Sequence, residues 1–459
     1  MKNRKIESSF RDPSGFLYVQ DGTLYRQINQ SYKNEYDHLI DSGLYKKLVE
    51  KELLIPHIEA SIAPLMPQTA YKIIQPEVIS FISYPYEWCF SQLKQAALTT
   101  IEIQKVALDF GMTLKDCSSY NIQFRKGKPI LIDTLSFEKY KEGQVWKGYK
   151  QFCQHFLAPL ALMSHKDIRL SQLLRIYIDG IPLDLADKLL PMRTLSMMSL
   201  FAHIHAHAKS QKHFESKEIK VKEYNLGKRS FMGIVESLHS TVKKQNWEPE
   251  GTEWSDYYSD TNYSKESFEQ KKIIVSELLE KIKPSNLWDI GANTGIFSRV
   301  ASSKGIDTAS FDVDPAAVEK NFLECVQKKE TKLLPLLIDL TNHSPSIGWQ
   351  NQERLSLTNR GPTDTILALA LIHHLAISNN VPLDMLGEFF AVNCKNLIIE
   401  FVPKTDSQVK RLLVTREDIF PEYTEENFEN HFKRFFSIKE KIKVKDSERT
   451  IYYMQKETA

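Results

Sequence analysis

Three aspartates are spaced so that each would end a strand of one sheet. Asp289 opens the run Asp289-Ile290-Gly291-Ala292-Asn293-Thr294-Gly295, where the apolar stretch 286–290 gives way to a helical pattern beginning at Ile296. Gly291 permits a tight turn with no side chain between backbone and ligand. Twenty-three positions on, Asp312 lies near the end of a second apolar stretch, 309–313, and Asp339 closes a third, 333–339. In open α/β sheets the crevice beyond the carboxyl ends of the strands is where ligands bind. At the second position a carboxylate can accept both hydroxyls of a ribose. At the third, Asp339, with Leu340 beside it, can take the exocyclic amine of an adenine.

The elements that must hold these acids follow from periodicity. Residues 271–280 have helical apolar spacing, and Pro284 ends that helix. A helix is expected over 296–304 with Gly305 as its C-cap, and another over 315–328 with Pro315 in the first turn. Further strands are expected at 365–370 and 396–401, and 450–454 is expected as a closing antiparallel edge strand. Continuous apolar strands separated by helices predict a parallel sheet covered on both faces.

This arrangement resembles the class I S-adenosylmethionine-dependent methyltransferases. Their first motif is acid-x-Gly-x-Gly-x-Gly, followed by an acid after the second strand and another after the third. The resemblance covers roughly the last 200 residues, and Asn293 replaces the middle glycine. It implies an α/β Rossmann-like domain over 254–459. It also implies a site for S-adenosylmethionine built from Asp289, Gly291, Asn293, Gly295, Asp312, Asp339 and Leu340. Two other readings of the turn stay open. An NAD-type site needs a third glycine, but Phe297 and Ser298 follow Gly295. A ligand-free glycine turn is the plainer one.

Catalytic groups in this fold usually lie just after the fourth strand, here Leu371-Ile372-His373-His374-Leu375. Either His373 or His374 is a candidate general base, since histidine titrates near neutrality; capping or packing is the alternative role. No Asn/Asp-Pro-Pro-aromatic or Pro-Cys motif follows that strand. Planar amino groups of DNA or glutamine and the cytosine C5 carbon are thereby disfavoured as acceptors. A hydroxyl, carboxyl or amine on a small molecule or glycan stays open. Two loops are candidates to shape a substrate pocket: 341–362, carrying Trp349, Arg354 and Arg360, and 401–406; for any single residue, a surface loop with ordinary ion pairs is the plainer reading. The acidic-aromatic stretch 254–258 is a candidate cover for the cofactor or, equally, a docking arm.

The first half carries a second constellation. Leu114-Lys115-Asp116-Cys117-Ser118-Ser119-Tyr120-Asn121 is followed by Pro129-Ile130-Leu131-Ile132-Asp133. These residues resemble the catalytic loop and metal strand of protein-kinase-like phosphotransferases. There an Asp orients the acceptor hydroxyl, an Asn five residues on holds a metal, and a later Asp holds Mg²⁺. The resemblance implies an α+β kinase-like domain over 1–210. Asp116, Asn121 and Asp133 would be the phosphotransfer remnant, and Mg-ATP a possible second ligand. A hairpin over 16–26 turning at Asp21-Gly22, an inter-lobe strand over 76–86 and a helical lower lobe over 146–207 would complete it. There is no Gly-rich phosphate loop, and Thr134-Leu135 stands where Phe-Gly is usual. The first half is therefore either a working kinase, which would make the chain bifunctional on a glycan or lipid-linked acceptor, or a binding module.

The remaining features limit the possibilities. The 459 residues exceed one ordinary core. The polar segment 211–253 is expected to be a linker. A formal charge of +2 gives no global attraction to nucleic acid or anionic membrane, and no run of about 18 apolar residues occurs. Five scattered cysteines without C-x-x-C pairs, and an N-terminus lacking an apolar core, suit a reducing cytoplasmic compartment. His203, His205 and His207 cannot share one helix face, so no metal ligands are assigned. Trp146, Tyr149, Phe152 and Phe156 recur at core spacing.

Overall fold

The computed structural model describes residues 4–208, 227–249, 265–414 and 417–457. The chain forms two compact units. One is Met1–Glu248 with Ile347–Arg354, and the other is Pro249–Ser346 with Leu355–Ala459. The stretch 254–258 lies outside the described residues. The segment expected to be a linker contains the helix Lys228–Lys244, which buries Phe231, Val235, Leu238 and Val242. Its apolar residues recur at helical spacing, a pattern outweighed in the sequence by Lys and Ser around it.

The first unit is α+β. Strands β1 (Arg4–Lys5), β2 (Gly15–Gln20), β3 (Thr23–Asn29), β4 (His57–Glu59) and β5 (Ala70–Pro76) form an antiparallel sheet in the order β1-β2-β3-β5-β4. The hairpin turns at Asp21-Gly22, both with positive φ, as expected for an Asp-Gly pair. The inter-lobe strand expected over 76–86 is not formed. β5 ends at Pro76 and the chain runs irregularly to the turn Pro85–Glu87. Pro76 and Pro85 each lack an N–H to extend a ladder.

After the helix Phe90–Asp109, β6 (Met112–Leu114) pairs with β9 (Phe137–Lys139), and β7 (Ile122–Arg125) with β8 (Lys128–Leu131). This pair of small sheets brackets the loop carrying Asp116 and Asn121 and leads into Asp133. The helices that follow bury Trp146, Phe152 and Phe156. This is a kinase-like arrangement.

The second unit is a sheet with the order β12-β11-β10-β13-β14-β16-β15. Its strands are β10 (Asn286–Ile290), β11 (Asp307–Asp312), β12 (Leu333–Leu337), β13 (Thr363–Ala368), β14 (Cys394–Phe401), β15 (Phe436–Lys443) and β16 (Thr450–Lys456). β10 to β14 are parallel, while β16 runs antiparallel between β14 and β15. β16 is therefore not the edge. That place falls to β15, which carries Lys439, Glu440, Lys441 and Lys443. Lysines on an edge strand discourage further pairing. Helices Lys265–Ile282 and Ile296–Ser302 pack Ile274, Val275, Leu278 and Phe297 against strand residues Leu287, Leu367 and Ile398. All five cysteines are buried and free. Among the described residues, no helix is long and apolar enough to cross a membrane.

Candidate active site

The turn after β10 is built by three residues with positive φ: Gly291 at 73°, Asn293 at 51° and Gly295 at 80°. A Cβ on Gly295 would lie 2.5 Å from the amide of Asn321, so only glycine fits there. Asn293 tolerates its left-handed conformation because its side-chain oxygen accepts from the Thr294 N–H at 2.8 Å. This accounts for an asparagine where the methyltransferase pattern has glycine. The Asn293 backbone N–H donates to the Asp312 carboxylate at 2.7 Å, tying the first turn to the second acid.

Together these elements enclose a cavity of about 430 Å³. Asp289, Gly291, Asn293, Asp312, Asp339 and Leu340 all line it, with Ile338 and Thr341 beside them. Gly295 caps the helix behind the turn and is not part of the lining. The three acids are thus brought to one rim. Asp289 is buried and accepts from the Ser298 hydroxyl at 2.6 Å, and burial pushes its carboxyl up to about 7. Burial likewise raises Asp312 to about 6, against the backbone N–H donors that favour its charge. Asp339 is exposed and caps the turn Leu340–Asn342 through Thr341.

The two histidines separate. His374 lines the cavity, whereas His373 does not. Burial holds His374 down at about 4, so its ring is neutral at pH 7 and a weaker proton acceptor than a solvated imidazole. His373 is fully buried, and neither ring nitrogen has a hydrogen-bond partner among the described residues. Its ring packs on His374 with centroids 4.1 Å apart. Of the two candidate pocket loops, only Thr341 from the first reaches the cavity, and none of 401–406 does. Asp406 instead pairs with the buried Arg449 at 2.8 Å.

Sequence reasoning missed Phe268 and Lys271, which line the cavity from the helix Lys265–Ile282. Lys271 is buried, lies 2.7 Å from Glu400 of β14, and stands 4.9 Å above the Phe297 ring. Its signal was available: Phe268, Lys271, Val275 and Leu278 recur at spacings of three and four, so Lys271 is a cation on a buried stripe.

In the first unit, Asp116, Asn121 and Asp133 do come together. The Asp116 carboxyl, raised by burial and then by Asp133, is hydrogen-bonded by Ser118 N–H and by Asn121. Asp133, however, already has a cation. Arg26 of β3 meets it at 2.5 Å, Ser136 Oγ donates at 2.7 Å and Leu135 N–H at 3.0 Å. The histidines at 203 and 205 are likewise engaged. His203 lies between Tyr149 and Ser237, both at 2.8 Å, and His205 between Asp187 and Thr194.

A mostly parallel sheet with one antiparallel strand inserted near its edge, an acid-glycine turn after its central strand and acids after the next two define a class I methyltransferase fold. Here it is joined in one chain to a kinase-like domain. The chain belongs to the family of Nodulation protein NoeA from Rhizobium meliloti (strain 1021). The two are 35% identical over 461 residues, covering 98% of this chain and 96% of that protein. No protein-family model matches the chain.

Among solved structures, the chain is similar to the N-methyltransferase NodS from Bradyrhizobium japonicum WM9 (12% identity, 42% of this chain and 99% of that one, TM-score 0.32). It is also similar to magnesium protoporphyrin IX methyltransferase from Synechocystis PCC 6803 with bound SAH (16%, 44% and 91%, TM-score 0.32). A third is the bifunctional kinase-methyltransferase WbdD (15%, 41% and 39%, TM-score 0.28), so this chain spans about two fifths of that structure's chain.

Proposed function

We propose that the second unit binds S-adenosylmethionine and transfers its methyl group to an acceptor, and that the first unit performs no phosphotransfer. The observation that carries the methyltransferase reading is the gathering of Asp289, Asp312 and Asp339 on one rim of a single cavity beside the Gly291 turn. The donor set fits the cofactor. Asp312 is an acceptor for ribose hydroxyls, and Asp339 with Leu340 frames the adenine. Gly291 keeps backbone open to the ligand; a Cβ there would meet Leu371 at 3.1 Å. Asp289 and Asp312 are carboxylates made costly to ionise by burial, so a cationic, hydroxyl-bearing ligand relieves them.

When bound, the cofactor supplies an electrophilic methyl group. The chain's own contribution is to align the acceptor, exclude water and take its proton. His374 is assigned the proton, because its neutral ring faces the cavity. His373 has no such access and acts by packing on the His374 ring.

Calorimetry with S-adenosylhomocysteine tests this. Asp312→Ala, by removing charged hydrogen bonds worth about 1.5–3 kcal/mol each, should weaken binding about 100-fold. Equal binding by wild type and variant removes Asp312 from the site.

For the first unit, the Arg26 guanidinium on Asp133 favours the non-catalytic reading over the bifunctional one, since it occupies the carboxylate a divalent cation would need. Mg-ATP should leave the melting temperature of the full chain unchanged. A saturable upward shift would restore the phosphotransfer reading.

A further inference from the structure

Besides the three acids, the cavity has a largely apolar wall whose cation, Lys271, acts electrostatically on Asp289. This wall is formed by Phe268, Lys271, Phe297, Leu375 and Leu412, from four separate elements. All but Lys271 are apolar. Lys271 and Glu400 form a buried ion pair at 2.7 Å, with side-chain exposures of 3% and 0%. The two ends of the pair are not equivalent, because Lys271 lines the cavity and Glu400 does not. The cavity therefore faces an ammonium donor backed by a carboxylate.

Resting on the methyltransferase reading above, we propose that this wall binds the acceptor, and that Lys271 selects a neutral hydroxyl over an amine or a carboxylate. An ammonium has only donors and carries the same charge as Lys271, so it finds no acceptor on this wall. A carboxylate would find a donor, but the charge of Lys271 is already balanced by Glu400. Asp289 and Asp312 are further acids lining the same cavity, so an added carboxylate would meet like charge there. A hydroxyl oxygen accepts from Lys271 and adds no charge, and its own proton remains available to His374. The apolar residues around Lys271 fit a hydrophobic flank on the same acceptor.

Three probes of one shape test the selection: benzyl alcohol, benzylamine and benzoate, titrated by protein-observed NMR into the full chain saturated with S-adenosylhomocysteine. Benzyl alcohol should bind at least tenfold more tightly than either ion. The order should collapse in the double variant Lys271→Met/Glu400→Gln, which removes both charges without leaving one buried alone. Affinity for S-adenosylhomocysteine should stay within threefold of wild type in that variant, and Lys271→Arg should retain the preference for the alcohol.

Tighter binding of benzylamine or benzoate, no binding of any probe, or an unchanged order in the double variant each overturns the proposal. A tenfold loss of S-adenosylhomocysteine affinity in the double variant also overturns it, by placing Lys271 at the cofactor. Failure of wild type to bind S-adenosylhomocysteine at all is a different failure, that of the methyltransferase reading itself.

Discussion

Each half of the chain gathers acids at a loop edge, and the two sets differ in what balances their charge. In the first unit, Asp133 is met by Arg26 at 2.5 Å, and both side chains are largely buried. In the second, Asp289 and Asp312 line a cavity and are held by hydroxyl and backbone donors, with burial pushing them up to about 7 and 6. An acid that already has its cation is structural, because recruiting another means expelling the first. An acid denied solvent and given no direct ion pair, with Lys271 acting on Asp289 only through space, is costly until a ligand arrives. The same residue type in a motif-like setting thus marks a closed site in one unit and an open one in the other.

The contrast should break most sharply at Arg26. Arg26→Ala leaves Asp133 largely buried without its counter-charge and should cost about 3 kcal/mol of first-unit stability, read by denaturant unfolding. Arg26→Met combined with Asp133→Asn should recover most of that loss. If Arg26→Ala is neutral, the pair is not what closes this site.

The second unit should respond to pH in the opposite sense from a paired acid. Asp289 and Asp312 have native values raised above about 3.9, so the native state holds their protons more tightly than the unfolded chain. Without ligand, their contribution to stability is greatest at low pH and is lost as pH rises through about 6 to 7. The melting temperature of the second unit should therefore rise between pH 8 and pH 5. The upward shift caused by S-adenosylhomocysteine should be larger at pH 8, where Asp312 is ionised and able to accept. A shift independent of pH would mean that neither carboxylate meets the ligand.

The smallest expected effect is at His373. Two unpaired buried nitrogens cost on the order of 1–3 kcal/mol each. His373→Leu should then raise stability by about 1 kcal/mol, or roughly 2–4 °C. The same substitution should lower methyl transfer by freeing the His374 ring, with S-adenosylhomocysteine affinity unchanged. A loss of stability would show that a buried water or another partner satisfies the His373 ring.

Much of the second unit was legible in the sequence because its signals are local. The helix Pro315–Lys328 and the strand Asn286–Ile290 have the bounds their apolar spacing predicts. The turn could be placed from Asp289, Gly291 and Gly295, since positive φ and close approach demand particular residue types at particular positions. Across the whole chain three elements were misplaced, the first being the inter-lobe strand expected over 76–86, where Pro76 and Pro85 cannot extend a ladder. The helix Lys228–Lys244 was hidden by its polar surroundings, and the final strand was expected at the edge because chain order does not state sheet order.

The chain by itself therefore determined two folds and the acids that could serve them, because periodicity and turn chemistry are properties of neighbouring residues. Only the tertiary structure decided which acids face a cavity, that Arg26 from a distant strand closes one set, and that His374 and not His373 is exposed to the site. It alone also brought Lys271 against Glu400. Each of those outcomes depends on what packs across from a residue, and burial and charge compensation are set by groups far away in sequence.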